Sequence, residues 1–96
     1  MAVAPPSLPE AEALATRFRA LADPARLRLL GLIQAQPDGE ACVCNLVEPL
    51  GLAQPTVTHH LQVLHRAGLL RREKRGIWVY YQVERAALQA LRETLA

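Results

Sequence analysis

Ala11, Leu14, Phe18 and Leu21 fall three to four residues apart and predict a first amphipathic helix. Ser7, with Glu10 three residues later, reads as its capping box, and Pro9 stands in the first turn. Asp23-Pro24 restarts the chain, Asp as N-cap and Pro as the first helical residue. Leu27, Leu30 and Ile33 then mark the inward side of a second helix that Pro37-Asp38-Gly39 ends. A short third helix is expected over residues 42–50, closed by Gly51 as its C-cap. After a tight turn, a fourth helix starts at Pro55 and stops at Gly68, with Val57, Leu61 and Leu64 on one face.

Beyond Gly68 the period changes from helical to alternating. Leu70, Arg72 and Lys74 alternate with Arg71, Glu73 and Arg75, Gly76 supplies a turn, and Ile77-Trp78-Val79-Tyr80-Tyr81-Gln82-Val83 follows. This is the pattern of a β-hairpin. Helical spacing returns through Leu88, Leu91 and Leu95. The predicted order is α-α-α-α-β-β-α: one mainly helical α+β domain over residues 10–96, preceded by a flexible Ala/Pro-rich tail over residues 1–9.

Composition narrows the class. At 51% hydrophobic and 4% aromatic over 96 residues, the chain is globular and too short for two cores. A domain of this length buries roughly 60–65% of its unfolded surface, which favours a partner subunit. Two cysteines spaced Cys-x-Cys make no disulfide framework. No run approaches the ~18 apolar residues of a membrane span, and the opening lacks the basic segment of a signal peptide. A reducing, cytoplasmic setting with free thiols is therefore expected.

The net charge of +2 hides an asymmetry. Residues 1–53 carry four Arg against six acids, a balance of −2, whereas residues 54–85 carry six bases against two acids, a balance of +4. A short helix, a Gly-containing turn and a longer helix make a helix-turn-helix. Opposite the apolar face of the longer helix stand His59, Gln62 and Arg66, with Gln54, Thr56 and Thr58 toward its N-terminal end. These are the groups that reach base edges and phosphates in a major groove, although a solvated face would look the same. Arg71, Arg72, Lys74 and Arg75 crowd the hairpin that follows, where like charges repel unless a polyanion meets them. Such a hairpin is a wing, so the fold predicted is a winged helix that binds duplex DNA. Trp78 and Tyr80 read as core or hinge residues ahead of base-stacking platforms, and Tyr81 lies on the other strand face. His60, some 60° from the core face, reads as a structural hydrogen-bonder.

Four motifs make the resemblance specific. Asp23-Pro24-Ala25-Arg26-Leu27-Arg28-Leu29-Leu30, Cys42-Val43-Cys44-Asn45-Leu46, Gln54-Pro55-Thr56-Val57-Thr58-His59-His60-Leu61 and Gly76-Ile77-Trp78-Val79-Tyr80-Tyr81 resemble, in order and spacing, the ArsR/SmtB metalloregulators. These are bacterial winged-helix repressors. The resemblance implies a homodimer built from the first and last helices, for which Leu14, Phe18, Leu21, Leu88, Leu91 and Leu95 offer apolar stripes. A two-fold dimer sets two recognition helices about one DNA turn apart, matching an inverted-repeat operator.

Cys42 and Cys44 are the one other candidate chemistry. Free cysteines are often small buried hydrophobes, yet residues i and i+2 of a helix point to nearly opposite sides. A helix N-terminus favours thiolate, and thiolates choose thiophilic ions. For one ion to bridge both sulfurs, the third helix must begin late or unwind, which would alter the geometry of the recognition helix behind it. The last helix lacks His and Asp and the tail lacks Cys and His, so the family's zinc-type and cadmium/lead-type sites are absent. Cys42-Val43-Cys44-Asn45-Leu46 is similar to the Cys-Val-Cys-Asp-Leu signature of the arsenic/antimony sensors, with Asn45 in place of Asp and Val47 where a third Cys often stands. The resemblance thus implies release from DNA by As(III) or Sb(III), with no organic cofactor. Two other readings stay open: a repressor whose thiol pair oxidises, and a dithiol redox enzyme. Neither a βαβ pattern nor a phosphate loop, His-Glu-x-x-His or nucleophile elbow supports an enzyme.

Overall fold

The computed structural model describes residues 4–96. Helices α1 (Leu8–Leu21) and α2 (Pro24–Ala35) lead into a short strand β1 (Glu40–Cys42), helix α3 (Val47–Leu50) and the longer α4 (Gln54–Arg66). Strands β2 (Leu70–Arg75) and β3 (Trp78–Val83) form the hairpin, and α5 (Arg85–Leu95) closes the chain. The three strands make one antiparallel sheet in the order β1-β3-β2.

Local chemistry accounts for the helix starts. The Ser7 hydroxyl accepts the Glu10 N–H at 3.3 Å and donates to the Glu10 carboxylate at 2.8 Å. Leu8 and Pro9 therefore lie in the first turn of α1, two residues ahead of the expected domain start. The rest of the expected tail includes residues 1–3, which lie outside the described ones. At α2, Asp23 Oδ1 accepts the N–H groups of Ala25 and Arg26 at 2.8 and 3.2 Å. Those bonds, that from Arg26 foremost, hold the Asp23 carboxyl below its usual range.

The core sits where α2, α4 and the sheet meet. Leu29, Ile33, Leu46, Val57, Leu61, Leu64 and Leu69 are fully closed off from solvent. The inward face of α4 is the one its spacing predicts; that of α2 is so for Leu30 and Ile33 but not for Leu27. Leu27 is 56% exposed, and Leu29 takes its place beside Leu30 and Ile33. α2 carries apolar residues on several sides, so its period alone does not fix the buried one. Truncating Leu61 to alanine is expected to lower unfolding free energy by about 3 kcal/mol, read as a fall in the urea midpoint at unchanged slope.

Two differences from expectation shape the site. The stretch over residues 42–50 is not one helix: Glu40, Ala41 and Cys42 pair with Gln82, Tyr81 and Tyr80 of β3, a 3-10 turn covers Val43–Asn45, and α3 begins only at Val47. Among the aromatics, Tyr81 is the core residue and Trp78 is 53% exposed, the reverse of the expected roles. β3 register decides this: Tyr81 lies opposite Ala41 and Arg72 on the face turned to the helices, while Trp78, Tyr80 and Gln82 take the other face. The hairpin turns through Gly76 and Ile77, and Gly76 at φ 63° supplies the positive φ that a two-residue loop needs at its first position.

The radius of gyration, 14.6 Å, exceeds the ~12.5 Å expected of a compact 96-residue chain. The principal extents, 47 × 23 × 21 Å, show elongation along one axis.

Candidate functional site

Three groups of residues converge along one edge of the molecule: the outer face of α4, the wing and the Cys-x-Cys turn. Gln54, Thr56, His59, Gln62 and Arg66 are exposed on α4, and Thr58 is half-buried. Thr58, Gln62 and Arg66 share a cleft with Arg72 of β2, which Val43, Val79 and Tyr81 also line. Helix and wing thus present their polar groups to one space. His60 is turned away from it: its Nδ1 lies 3.2 Å from Arg26 Nη1. A guanidinium only donates, so in this pair His60 Nδ1 takes the acceptor's place. Arg26 in turn donates to the Ala20 carbonyl, which locks α2 against the end of α1. The structural role expected of His60 is the one it has.

The wing is less uniformly basic than its sequence suggests. Arg75, expected to face DNA, is engaged within the protein: it donates to both Glu40 oxygens at 2.6 and 2.8 Å and to Glu73 at 2.7 Å. Its guanidinium also lies over the Tyr80 ring, 4.5 Å from the centroid. Arg71 approaches Glu84 at 3.6 Å. The crowding of like charge is relieved by these acids, one of them brought in by the unexpected strand β1. Arg66, Arg72 and Lys74 form no ion pair among the described residues. Of the bases expected to face DNA, these are the ones whose charge is not matched by an acid of the same chain among the described residues.

The Glu40 contacts have a titration consequence. Arg75, and after it the Gln82 amide donating at 2.8 Å, lower the Glu40 carboxyl from about 4.5 to about 2. A depressed carboxyl contributes stability above its ordinary value and loses it as pH falls through the folded one. The link between β1 and the wing is thus expected to hold at neutral pH and to weaken only between about pH 4.5 and 2. A carboxyl NMR titration of Glu40 with a midpoint near 2, rising toward 4.5 in Arg75→Gln, checks this.

Cys42 ends β1 and is buried, whereas Cys44 stands exposed in the 3-10 turn. Their Cα atoms are 5.3 Å apart and the two sulfurs are joined as a disulfide, where free thiols were expected. The reason is local. Cys42 is extended and the chain then coils at Val43, so the i and i+2 side chains swing to the same side rather than to opposite sides of a helix. α3 begins late, as a shared ligand requires, and no helix has to unwind. Neither sulfur lies in the first turn of α3, so the expected help from a helix N-terminus is replaced by a turn.

Asn45 closes that turn. Its Oδ1 accepts the Cys42 N–H at 3.2 Å and lies 3.2 Å from Cys42 Sγ. The side chain was legible in sequence only as a departure from a signature. Its back-bond is the local Asx habit of bonding a neighbouring backbone N–H, and being neutral it sets no second negative charge beside a thiolate. No group of three or more His, Cys, Asp or Glu among the described residues could hold a metal ion. A closed four-ligand zinc site does not fit this donor set, and a seat of two adjacent sulfurs fits a thiophilic trivalent metalloid.

Of the six residues expected at a dimer interface, Leu91 is 4% exposed within its own chain and belongs to the core. Leu14, Phe18, Leu21 and Leu88 are half-buried against that core, and Leu95 is exposed. Leu8, not foreseen, is exposed at the start of α1. No helix among the described residues is long and apolar enough to cross a membrane.

Comparison with known proteins places this geometry. Residues 23–72 match the family model described as bacterial regulatory protein, arsR family. The chain is 39% identical over 72 residues to an uncharacterized HTH-type transcriptional regulator of Methanocaldococcus jannaschii, covering 75% of this chain and 79% of that one. It is 44% identical over 66 residues to the arsenic resistance transcriptional regulator ArsR1 of Pseudomonas putida, covering 69% of this chain but only 50% of that protein. Its fold is similar to the crystal structure of the AntR antimony-specific transcriptional repressor, with a TM-score of 0.72 at 29% identity, over 93% of this chain and 79% of the other.

Proposed function

The chain belongs to the arsR family of bacterial regulatory proteins, with a winged-helix DNA-binding fold, and from that premise we propose a homodimeric repressor released from its operator when As(III) or Sb(III) binds the Cys42 and Cys44 thiolates. The metalloid supplies a soft electrophilic centre that ties the two sulfurs together. Two relatives support the choice of inducer, one named for arsenic resistance and one for antimony. The observation that carries the reading is the position of Val43. It lies between the two cysteines, beside them in one cleft and beside Thr58, Gln62 and Arg72 in another. Changing the shape of the Cys-x-Cys turn moves a residue wedged between recognition helix and wing, so the spacing of the two DNA-gripping elements changes with it.

In this reading Gln54, Thr56, Thr58, His59 and Gln62 face base edges while Arg66, Arg72 and Lys74 meet phosphates, and Arg71 joins them on leaving its 3.6 Å approach to Glu84. Arg75 positions the wing rather than gripping DNA. Leu14, Phe18, Leu21, Leu88 and Leu95 line the dimer contact. Fluorescence anisotropy of a labelled promoter fragment, titrated with arsenite in the presence of a phosphine reductant, tests it: binding lost with rising arsenite is the expected result, and binding unmoved by arsenite and antimonite alike rejects the sensing half.

A second reading, a repressor governed by oxidation of the same pair, is favoured by the joined sulfurs. Loss of DNA binding on peroxide treatment, restored by the phosphine, would single it out.

A further inference from the structure

Beside the sulfurs lies a cleft of about 370 Å³ whose apolar wall, Ile77, Trp78 and Val79, has no part in the DNA-binding or two-thiolate reading. Cys42 and Cys44 occupy one side of it, and Val43, Ile77, Trp78 and Val79 supply the apolar remainder. Its size falls at the lower end of small-molecule pockets, about 300–1,000 Å³. Among the described residues, the other polar groups on lining side chains are the neutral amide of Gln54 and the indole N–H of Trp78, and none carries a charge. Ile77 is 87% exposed and Trp78 53%, so two large apolar side chains are held at the surface next to the thiols. Register puts them there: β3 runs past the end of β1, with Tyr80 opposite Cys42 and Trp78 two residues further on the same face.

A trivalent arsenic centre held by two sulfurs has one substituent left. Toward that substituent the described residues of this cleft offer no third thiolate, carboxylate or imidazole, but aliphatic side chains, an indole and one amide. We propose that the site is suited to organic trivalent arsenicals carrying one aryl or alkyl group, with Trp78 and Ile77 as the residues that contact that group and set the preference. This rests on the two-thiolate reading above and names its ligand class. In the step, two S–H groups meet an R–As(OH)2 centre: two As–S bonds form, two As–O bonds break, and the protons leave with the hydroxyls as two waters. The As–C bond is untouched and no electrons change hands. The disulfide is first opened by a thiol or phosphine reductant. An aryl group then lies against the Trp78 indole, where the burial of apolar surface and ring–ring contact both favour it.

The chain has a single tryptophan, so its emission reports the event directly. Phosphine-reduced full-length protein is titrated with phenylarsine oxide and, separately, arsenite, following Trp78 emission and, in parallel, anisotropy of bound promoter DNA. Phenylarsine oxide is expected to change the emission more than arsenite and to release DNA at lower concentration. In Trp78→Ala the ratio of the two release midpoints should shrink by on the order of tenfold, while arsenite release stays near that of the unaltered chain. Because both proteins carry the same thiols, the intrinsic arsenic–sulfur chemistry cancels in that ratio. Ile77→Ser, at a solvent-exposed turn, gives the same comparison should the alanine variant fold poorly. Equal ratios in the unaltered chain and both variants overturn the proposal and leave arsenite sensing standing. If neither arsenical alters emission or DNA binding, the two-thiolate reading itself falls.

Discussion

Replacing Cys44 with serine is expected to leave promoter binding in place and to raise the arsenite concentration needed for release by on the order of 10²–10⁴-fold. That is the usual range when two linked binding groups are reduced to one. The side chain is exposed in the 3-10 turn and takes no part in the core, so its loss does not endanger folding. Cys42→Ser should behave alike for a different reason. Cys42 is buried, but Asn45 Oδ1 stands 3.2 Å from its sulfur, close to where a serine hydroxyl would need an acceptor. Equal loss in the two variants, with unchanged DNA affinity, marks the pair as one seat. Release at the original arsenite concentration in either variant would show that the inducer binds elsewhere.

Lys74→Ala should flatten the dependence of DNA affinity on salt. Each protomer of a dimer loses one phosphate contact, so the slope of log K against log salt falls by about 2. Arg72→Ala is expected to act similarly, since Arg72 also lacks a carboxylate partner. Arg75→Ala is the informative contrast. Its charge is already matched by Glu40 and Glu73, so the slope should change little, whereas the wing loses its tie to β1. An equally large change in slope for Arg75→Ala would mean that the Glu40–Arg75 pair opens on DNA and that the guanidinium moves to a phosphate. Filter binding or anisotropy between 50 and 200 mM salt covers the range in which six or more such contacts change affinity by roughly 10³-fold or more.

The parts of this architecture that were legible in sequence are those in which a period is long enough to be read. α4 shows it best: three buried side chains in thirteen residues, with Thr56, His59, Gln62 and Arg66 exposed away from them. The hairpin was legible for another reason: the β-branched and aromatic run of β3 and the glycine before it mark a strand and a turn, although β2 itself is exposed at all but its first residue. β1 is three residues long and has no period. Its partner, β3, is forty residues away, so only the tertiary pairing creates it, and Cys42 goes with it from helix to strand end. Leu27 and Leu91 failed for a related reason. A leucine on an apolar helix is compatible with core, interface or surface, and the neighbouring elements decide which. Arg75 illustrates a limit of charge counting. Its partner Glu40 is 35 residues distant, and nothing in the local sequence announces the pair.

The shared sheet bears on how such a chain can be retuned. β1 is joined to β3 through its backbone, a pairing that does not depend on which side chains stand at positions 44 and 45 of the coiled segment beyond it. The proposed base-reading residues stand on α4, a separate element with its own core anchors in Val57, Leu61 and Leu64. On the proposed function, exchanging the short coiled segment for one with harder or softer donors is expected to redirect the stimulus while the promoter address stays as it was.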